Sequence, residues 1–271
     1  MTMYWIYDLP NWQLGVLIVS VLVTVSIAGL LVTRRWTRRF VGASSENNDL
    51  INYFFAAVGV FYGLAMGLIA VATWEDFTGV DSQISNEAAA LAALYRDLDG
   101  YPEPLRSALE TGLRDYTRFI VEHDWPAHRR GEINREGSRV LERFENDVVQ
   151  FEPVRERDKI IHAEVLRSLS TVVQQRDLRL QAVGTGLSAS IWHVVIIGAV
   201  LTIGLTYLFQ TATLRLHVLL VGALSTFIGL LIFLTAAMDN PFRGQFSVKP
   251  DAFRDVLEQV MTPASTSSPG R

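Results

Sequence analysis

From Ile51 to Trp74 the chain runs twenty-four residues without an Asp, Glu, Lys or Arg, INYFFAAVGVFYGLAMGLIAVATW, and Gly59, Gly63 and Gly67 recur there every fourth residue. A helix rises about 1.5 Å per residue, so about twenty apolar residues cross the roughly 30 Å hydrocarbon core of a bilayer. The stretch predicts a membrane-spanning helix. Residues four apart share a face, so the three glycines form a smooth groove for close helix packing, either inside one subunit or around an axis shared by several.

Three more apolar runs have spanning length: Leu14 to Thr33, Ile191 to Phe209 and Leu216 to Met238. The first has no basic residue before it and no small-residue cleavage box after it, so it reads as a retained span and not a secretory leader. Tyr4, Trp5, Tyr7 and Trp12 crowd residues 1–13, a composition suited to the lipid headgroup level. The predicted order is therefore an interfacial segment (1–13), two spans (14–74), a polar insert (75–190), two further spans (191–238) and a tail (239–271). The insert holds 15 of the 24 basic and 21 of the 28 acidic residues. Helix-period apolar positions such as Leu105, Leu109, Leu113, Tyr116 and Ile120, and later Ile161, Val165, Leu169 and Val172, predict four helices with no strand. Breaks are expected at DGYPEP (99–104), at Pro126 and at EPV (152–154), with a bend at Gly184 and Gly186. In the tail a short helix is expected over 250–261, followed by a disordered TPASTSSPGR. The fold class is thus an all-α integral membrane protein.

Short arginine-rich loops stay in the cytoplasm, and RRWTRRF after the first span carries Arg34, Arg35, Arg38 and Arg39. Arg215 lies in the other short loop. By this rule both termini and the insert face outward, which in a bacterial inner membrane is the periplasm. No charged residue lies inside a span, and His193 and His217 sit only at span ends. Ion-coupled transport and voltage sensing need intramembrane charge, so a passive pathway, a sensor or a scaffold remains. The insert lacks HExxH, GxxxxGK[ST], GxSxG and GxGxxG, which argues against an enzyme. No cofactor, metal or nucleic-acid partner is expected. His123 and His128 flank Pro126, which is expected to end a helix there, and they read as solvated loop residues.

The stretches FYGLAMGLIAVATWEDF, NEAAALAALYRDLDGYPEPLRSALETGLRDY, RDLRLQ and DNPFRGQFSVKP together resemble a bacterial bestrophin-like domain family of unknown function, itself distantly similar to bestrophin anion channels. The resemblance implies a homo-oligomer, pentameric in bestrophins, that passes inorganic anions such as chloride along its second helix. Phe61, Tyr62 and Trp74 are similar to an aromatic pair and a Trp in the bestrophin pore helix. Asn240, Pro241, Phe242 and Gly244 resemble a box after the last span, here interrupted by Arg243. The acidic run that clasps calcium in animal members is absent, so no calcium switch is implied. Bestrophins keep their large domain in the cytosol, the reverse of what the arginine loop predicts here.

Opposite the glycines a free helix face would present Phe61, Ala65 and Leu68, flanked by Tyr62 and Met66, as an apolar neck that gates by dewetting. Arg176 and Arg179, three apart, are candidates for a vestibule that concentrates anions, or else a solvated face with local partners such as Asp177. Glu87 and Arg96 are expected to pair with other helices. The rival function is a non-conducting membrane sensor or scaffold whose four-helix extramembrane bundle binds a ligand or partner.

Overall fold

The computed structural model describes residues 10–41, 45–209, 211 and 213–262, and among these every regular element is helical. Nine α-helices form among the described residues: α1 (Asn11–Val41), α2 (Ser45–Asp97), α3 (Leu105–Phe119), α4 (Trp125–Arg129), α5 (Arg135–Val149), α6 (Glu156–Ala182), α7 (Ala189–Thr206), α8 (Leu214–Met238) and α9 (Asp251–Gln259). Four stretches are long and apolar enough to cross a membrane: Asn11–Thr37, Asn48–Gly100, Ala189–Thr206 and Leu214–Met238. The expected interfacial residues Tyr4, Trp5 and Tyr7 and the final TPASTSSPGR from Pro263 lie outside the described residues.

The chain divides into two compact units. The first comprises α1, α2 as far as Phe77, α7, α8 and a short stretch around Phe246. Its core joins Met66 of α2 to Val195, Ala199 and Ile203 of α7 and to Ile228 and Ile232 of α8. Small residues set the approach distances. A Cβ on Gly229 would lie 3.2 Å from the Cα of Val19, so glycine lets α8 meet the backbone of α1. Gly198 of α7 receives the ring of Tyr62, which a Cβ would meet at 2.5 Å, and the Tyr62 hydroxyl donates to the Val195 carbonyl at 3.1 Å. In an apolar surround such polar groups need partners, and Tyr207 likewise donates to the Ser26 carbonyl at 2.8 Å. The turn between α7 and α8 is held by His217 Nε2 against the Thr206 carbonyl at 2.9 Å. At the other end Asp239 accepts from the Leu187 amide and from Trp192 Nε1 at 3.3 Å. α6 stops at Ala182 and α7 starts at Ala189, so the chain breaks its helix near Gly184 and Gly186 where a bend had been expected.

The second unit spans Thr78 to Thr185 with Pro241–Arg243 and the segment from Ser247 onward, and holds the rest of α2 with α3 to α6 and α9. α3 buries Leu109, Leu113, Tyr116 and Thr117, the face its three-four spacing specified. α5 starts on Asn134, whose side chain accepts from the Glu136 amide. Phe253 of α9 is fully buried, and Arg114 donates to the Met261 carbonyl at 2.7 Å, fixing the far end of that helix. Pro126 does not end the helix as expected. A π turn, Ile120–Asp124, joins α3 to α4, and Pro126 falls at the start of α4, where a missing amide proton costs little.

Candidate functional site

α2 is uncharged from Ile51 to Trp74. Tyr62, Met66, Ile69 and Thr73 point into the helix bundle; Met66 is 1% exposed. The opposite side is open: Phe61 is 72% exposed and Leu68 64%, with Val60, Leu64 and Val71 beside them. Ala65 is half-buried. The sequence expectation is corrected at two positions, because Tyr62 and Met66 are packed against α7 and are not free to flank a neck. The glycines also depart from one expectation. Among the described residues, and apart from the adjoining backbone of α2 itself, no atom lies within 4 Å of where a Cβ would stand on Gly59, Gly63 or Gly67, so no described residue fills their groove. Phe61 and Leu68 therefore lie on the side of α2 opposite the glycines, and no described residue packs into the glycine strip. Near the end of the stretch Trp74 stacks on Phe77 with centroids 6.4 Å apart.

In the second unit, charge gathers where α2, α3, the π turn, α4 and α6 meet. Arg179 is fully buried and forks onto Glu87, with Nε to Oε2 at 2.7 Å and Nη2 to Oε1 at 3.2 Å. Its third nitrogen lies 3.6 Å from Asp124 Oδ2 and within 3.4 Å of the His128 ring. A bidentate guanidinium-carboxylate pair is the geometry that best offsets the cost of burying two charges. Arg176 donates to Ser138 Oγ at 2.7 Å and lies 3.7 Å from Asp177. The vestibule role expected of Arg176 and Arg179 is thereby corrected. A guanidinium shielded from water and matched by a carboxylate does not concentrate solvent anions, and Arg176 is itself only 7% exposed. The expectation that Glu87 pairs with another helix is met, through Arg179.

Burial sets the proton state of this cluster. It pushes the Asp124 carboxyl above its usual range, against the pull of Arg179 and Arg176. Among the described residues neither carboxylate oxygen of Asp124 finds a hydrogen-bond partner within normal distance, nor does the buried Tyr116 hydroxyl. Burial likewise drives His128 down to about 3, helped by Arg179 and Arg176, so its ring is neutral and accepts from Arg179. Burial opposes the charge on Arg179, but Glu87 outweighs it and the guanidinium is held more firmly protonated than usual. His128 is thus a core residue and not the solvated loop residue its neighbourhood in sequence suggested. His123 stacks on Phe119 at 4.7 Å. The two acids and His128 gather around a guanidinium, and among the described residues no group of three or more His, Cys, Asp or Glu could hold a metal ion.

The box after α8 is split between the units. Asn240 belongs with the first, beside Asp239. In the second, Phe242 is 2% exposed and meets Trp125 edge-on at 5.5 Å and His128 at 5.4 Å, while the Pro241 carbonyl accepts from the Val248 amide at 2.8 Å. Arg243 donates to the Arg130 carbonyl and lies over Gly131, which has φ +76° and where a Cβ would stand 1.9 Å from the guanidinium. Glycine is required there by backbone and by space. Gly244 also has positive φ, at +78°, so the box reverses direction immediately after Arg243. Asp239 was missed from sequence as a site residue; its place directly after an uncharged span was the available signal.

The bestrophin-like domain family model matches residues 19–253. Two crystal structures of a bacterial bestrophin homologue from Klebsiella pneumoniae, each with a single substitution, are similar at 13% and 12% identity, with TM-scores of 0.65 and 0.63. Each comparison covers 91% of this chain and 97% of the other. A crystal structure of a membrane protein variant is similar at 13% identity and a TM-score of 0.65, with the same coverage. No curated protein matches the sequence.

Proposed function

The chain belongs to the bestrophin-like domain family, and from that premise we propose that it is a passive, anion-selective channel whose pore is built from α2 of several identical subunits. The observation that carries the proposal is the outer face of α2. A helix without a charge over twenty-four residues presents Phe61 and Leu68 away from its own chain and, on its other side, glycines into which no described residue packs. In a ring of subunits the glycine strip is where a neighbouring helix backbone fits, and the large apolar strip is where a narrow, dewetting constriction forms. Phe61, Ala65 and Leu68 make that neck. The number of subunits, five, and the preference for anions follow from the resemblance to bestrophins. The arginines that close α1, Arg34, Arg35, Arg38 and Arg39, support a bacterial inner-membrane location with the second unit, as the extramembrane domain, on the periplasmic side.

The test is a recording of purified protein in a planar bilayer under an asymmetric chloride gradient. A reversal potential near that of chloride, with Phe61→Ala raising the current, supports the channel and its neck. Silence from oligomers shown to be inserted overturns it in favour of a non-conducting sensor or scaffold, and conduction unaltered by Phe61→Ala and Leu68→Ala places the neck elsewhere.

A further inference from the structure

The last two turns of α1 carry a cluster to which the pore proposal gives no role beyond orienting the chain. Arg34, Arg35, Arg38 and Arg39 occupy four of six consecutive positions, with Trp36 among them. Arg34 and Arg38, and Arg35 and Arg39, are four apart, and Arg35 and Arg38 three apart, so all four charges crowd neighbouring positions on one side of the helix. Like charges at these spacings repel and weaken a helix unless something neutralises them. The partial negative charge at a helix C-terminus acts only within the final turn, which leaves Arg34 and Arg35 without its help. None of the ion pairs formed among the described residues involves Arg34, Arg35 or Arg39. The next acidic residue along the chain is Glu46.

The setting indicates where the counter-charge lies. Directly before the arginines Leu31 is 52% exposed and Val32 79%, an apolar surface matched to lipid tails. Trp36 is 78% exposed, and exposed tryptophan next to such a surface marks headgroup depth. A guanidinium forks onto a phosphate through two parallel hydrogen bonds, which a planar group does better than an ammonium. We propose that the C-terminal end of α1 binds the phosphodiester of anionic glycerophospholipids, with Arg35 and Arg39 as a pair on one headgroup and Trp36 seated in the interface. The inference is independent of whether α2 conducts. A basic cluster next to a span also meets the leaflet that carries the negative surface potential, the cytoplasmic one, so the site agrees with the proposed orientation.

The test uses full-length protein reconstituted with spin-labelled phosphatidylglycerol or phosphatidylcholine, reading the motionally restricted lipid fraction. Wild type is expected to favour phosphatidylglycerol, and each arginine removed should lower that preference roughly fivefold, from about 1 kcal/mol per residue. R35Q/R39Q should therefore lose most of it, while R35K/R39K keeps a large part because the charge stays. Phosphatidylcholine association should not change, and raising salt to about 1 M, where the screening length is near 3 Å, should erase the preference. An equal preference in wild type and R35Q/R39Q, or no preference in wild type, overturns the proposal. Displacement of the labelled lipid by millimolar inorganic phosphate also overturns it, by making a free anion the ligand. R35Q/R39Q retains Arg34 and Arg38 as the orientation signal, and labelling of an engineered cysteine at position 154 in intact cells confirms that insertion is unchanged.

Discussion

Replacing Arg179 by methionine is the sharpest probe of the second unit. The change keeps an unbranched apolar stem and deletes the charge. It strips Glu87 of both its hydrogen bonds to Arg179, and it takes from Asp124 the guanidinium 3.6 Å away. Deleting one member of a buried pair costs about 3–5 kcal/mol, chiefly because the other charge stays buried and uncompensated. At roughly 3 °C per kcal/mol for a protein of this size, the unfolding midpoint should fall by on the order of 10 °C. Glu87→Gln should cost less, since an amide oxygen still accepts one of the two bonds. The double change Arg179→Met with Glu87→Met removes both charges and should be milder than the sum of the singles, because no charge of the pair is left behind. Tryptophan fluorescence during thermal unfolding of the full-length protein in detergent is a suitable assay, because Trp125 packs against His128 at 6.2 Å and Phe253 at 5.9 Å. An Arg179→Met midpoint close to that of wild type, or strictly additive single changes, would refute the claim that this pair organises the core of the unit.

Asp124→Asn should behave oppositely to Arg179→Met. Burial raises the folded pKa of Asp124, so its charged form costs stability at neutral pH, and thermal melting should show an unchanged or higher midpoint. His128 has its folded pKa depressed from 6.5 to about 3, so the stability it contributes is present above pH 6.5 and is lost as pH falls toward 3. The expected slope is up to about 1.4 kcal/mol per pH unit, and His128→Gln should flatten a melting profile measured across that window. A Cβ on Gly63 meets no described atom within 4 Å beyond its own helix backbone, so with Gly63→Leu helicity by circular dichroism should persist while the proposed oligomer, followed by light scattering, falls apart; Gly198→Leu collides with Tyr62 and should destabilise the subunit itself. The chain has no cysteine, and Val154→Cys, at an 87% exposed position, should react with an impermeant thiol reagent in intact cells; labelling only after lysis reverses the orientation.

The spans were legible because uncharged length is a local property, written into consecutive residues such as Ile51 to Trp74. The amphipathic face of α3 was legible for the same reason. Arg179 was not. Its spacing from Arg176 tells only that the two share one side of a helix, whereas its burial depends on Glu87, ninety-two positions away in sequence. His128 was misplaced because Pro126 reads as a helix breaker, and the π turn that absorbs the proline leaves no pattern in residue type. The orientation of α2 was half legible. Helical spacing put Phe61 and Leu68 on a free side, but which flank met α7 depended on the fit of Tyr62 to Gly198, a contact between residues 136 apart in the numbering.

α7 and α8 are fastened at both ends, by His217 on the Thr206 carbonyl at one and by Asp239 on Leu187 and Trp192 at the other. A hairpin latched twice does not slide along its own seam, because any axial slip of one helix breaks hydrogen bonds at both latches together. On the proposed pore reading, α2 is tied to this latched pair by the Tyr62 ring in the Gly198 notch and by its bond to the Val195 carbonyl, so a shift of α2 against α7 breaks that bond first.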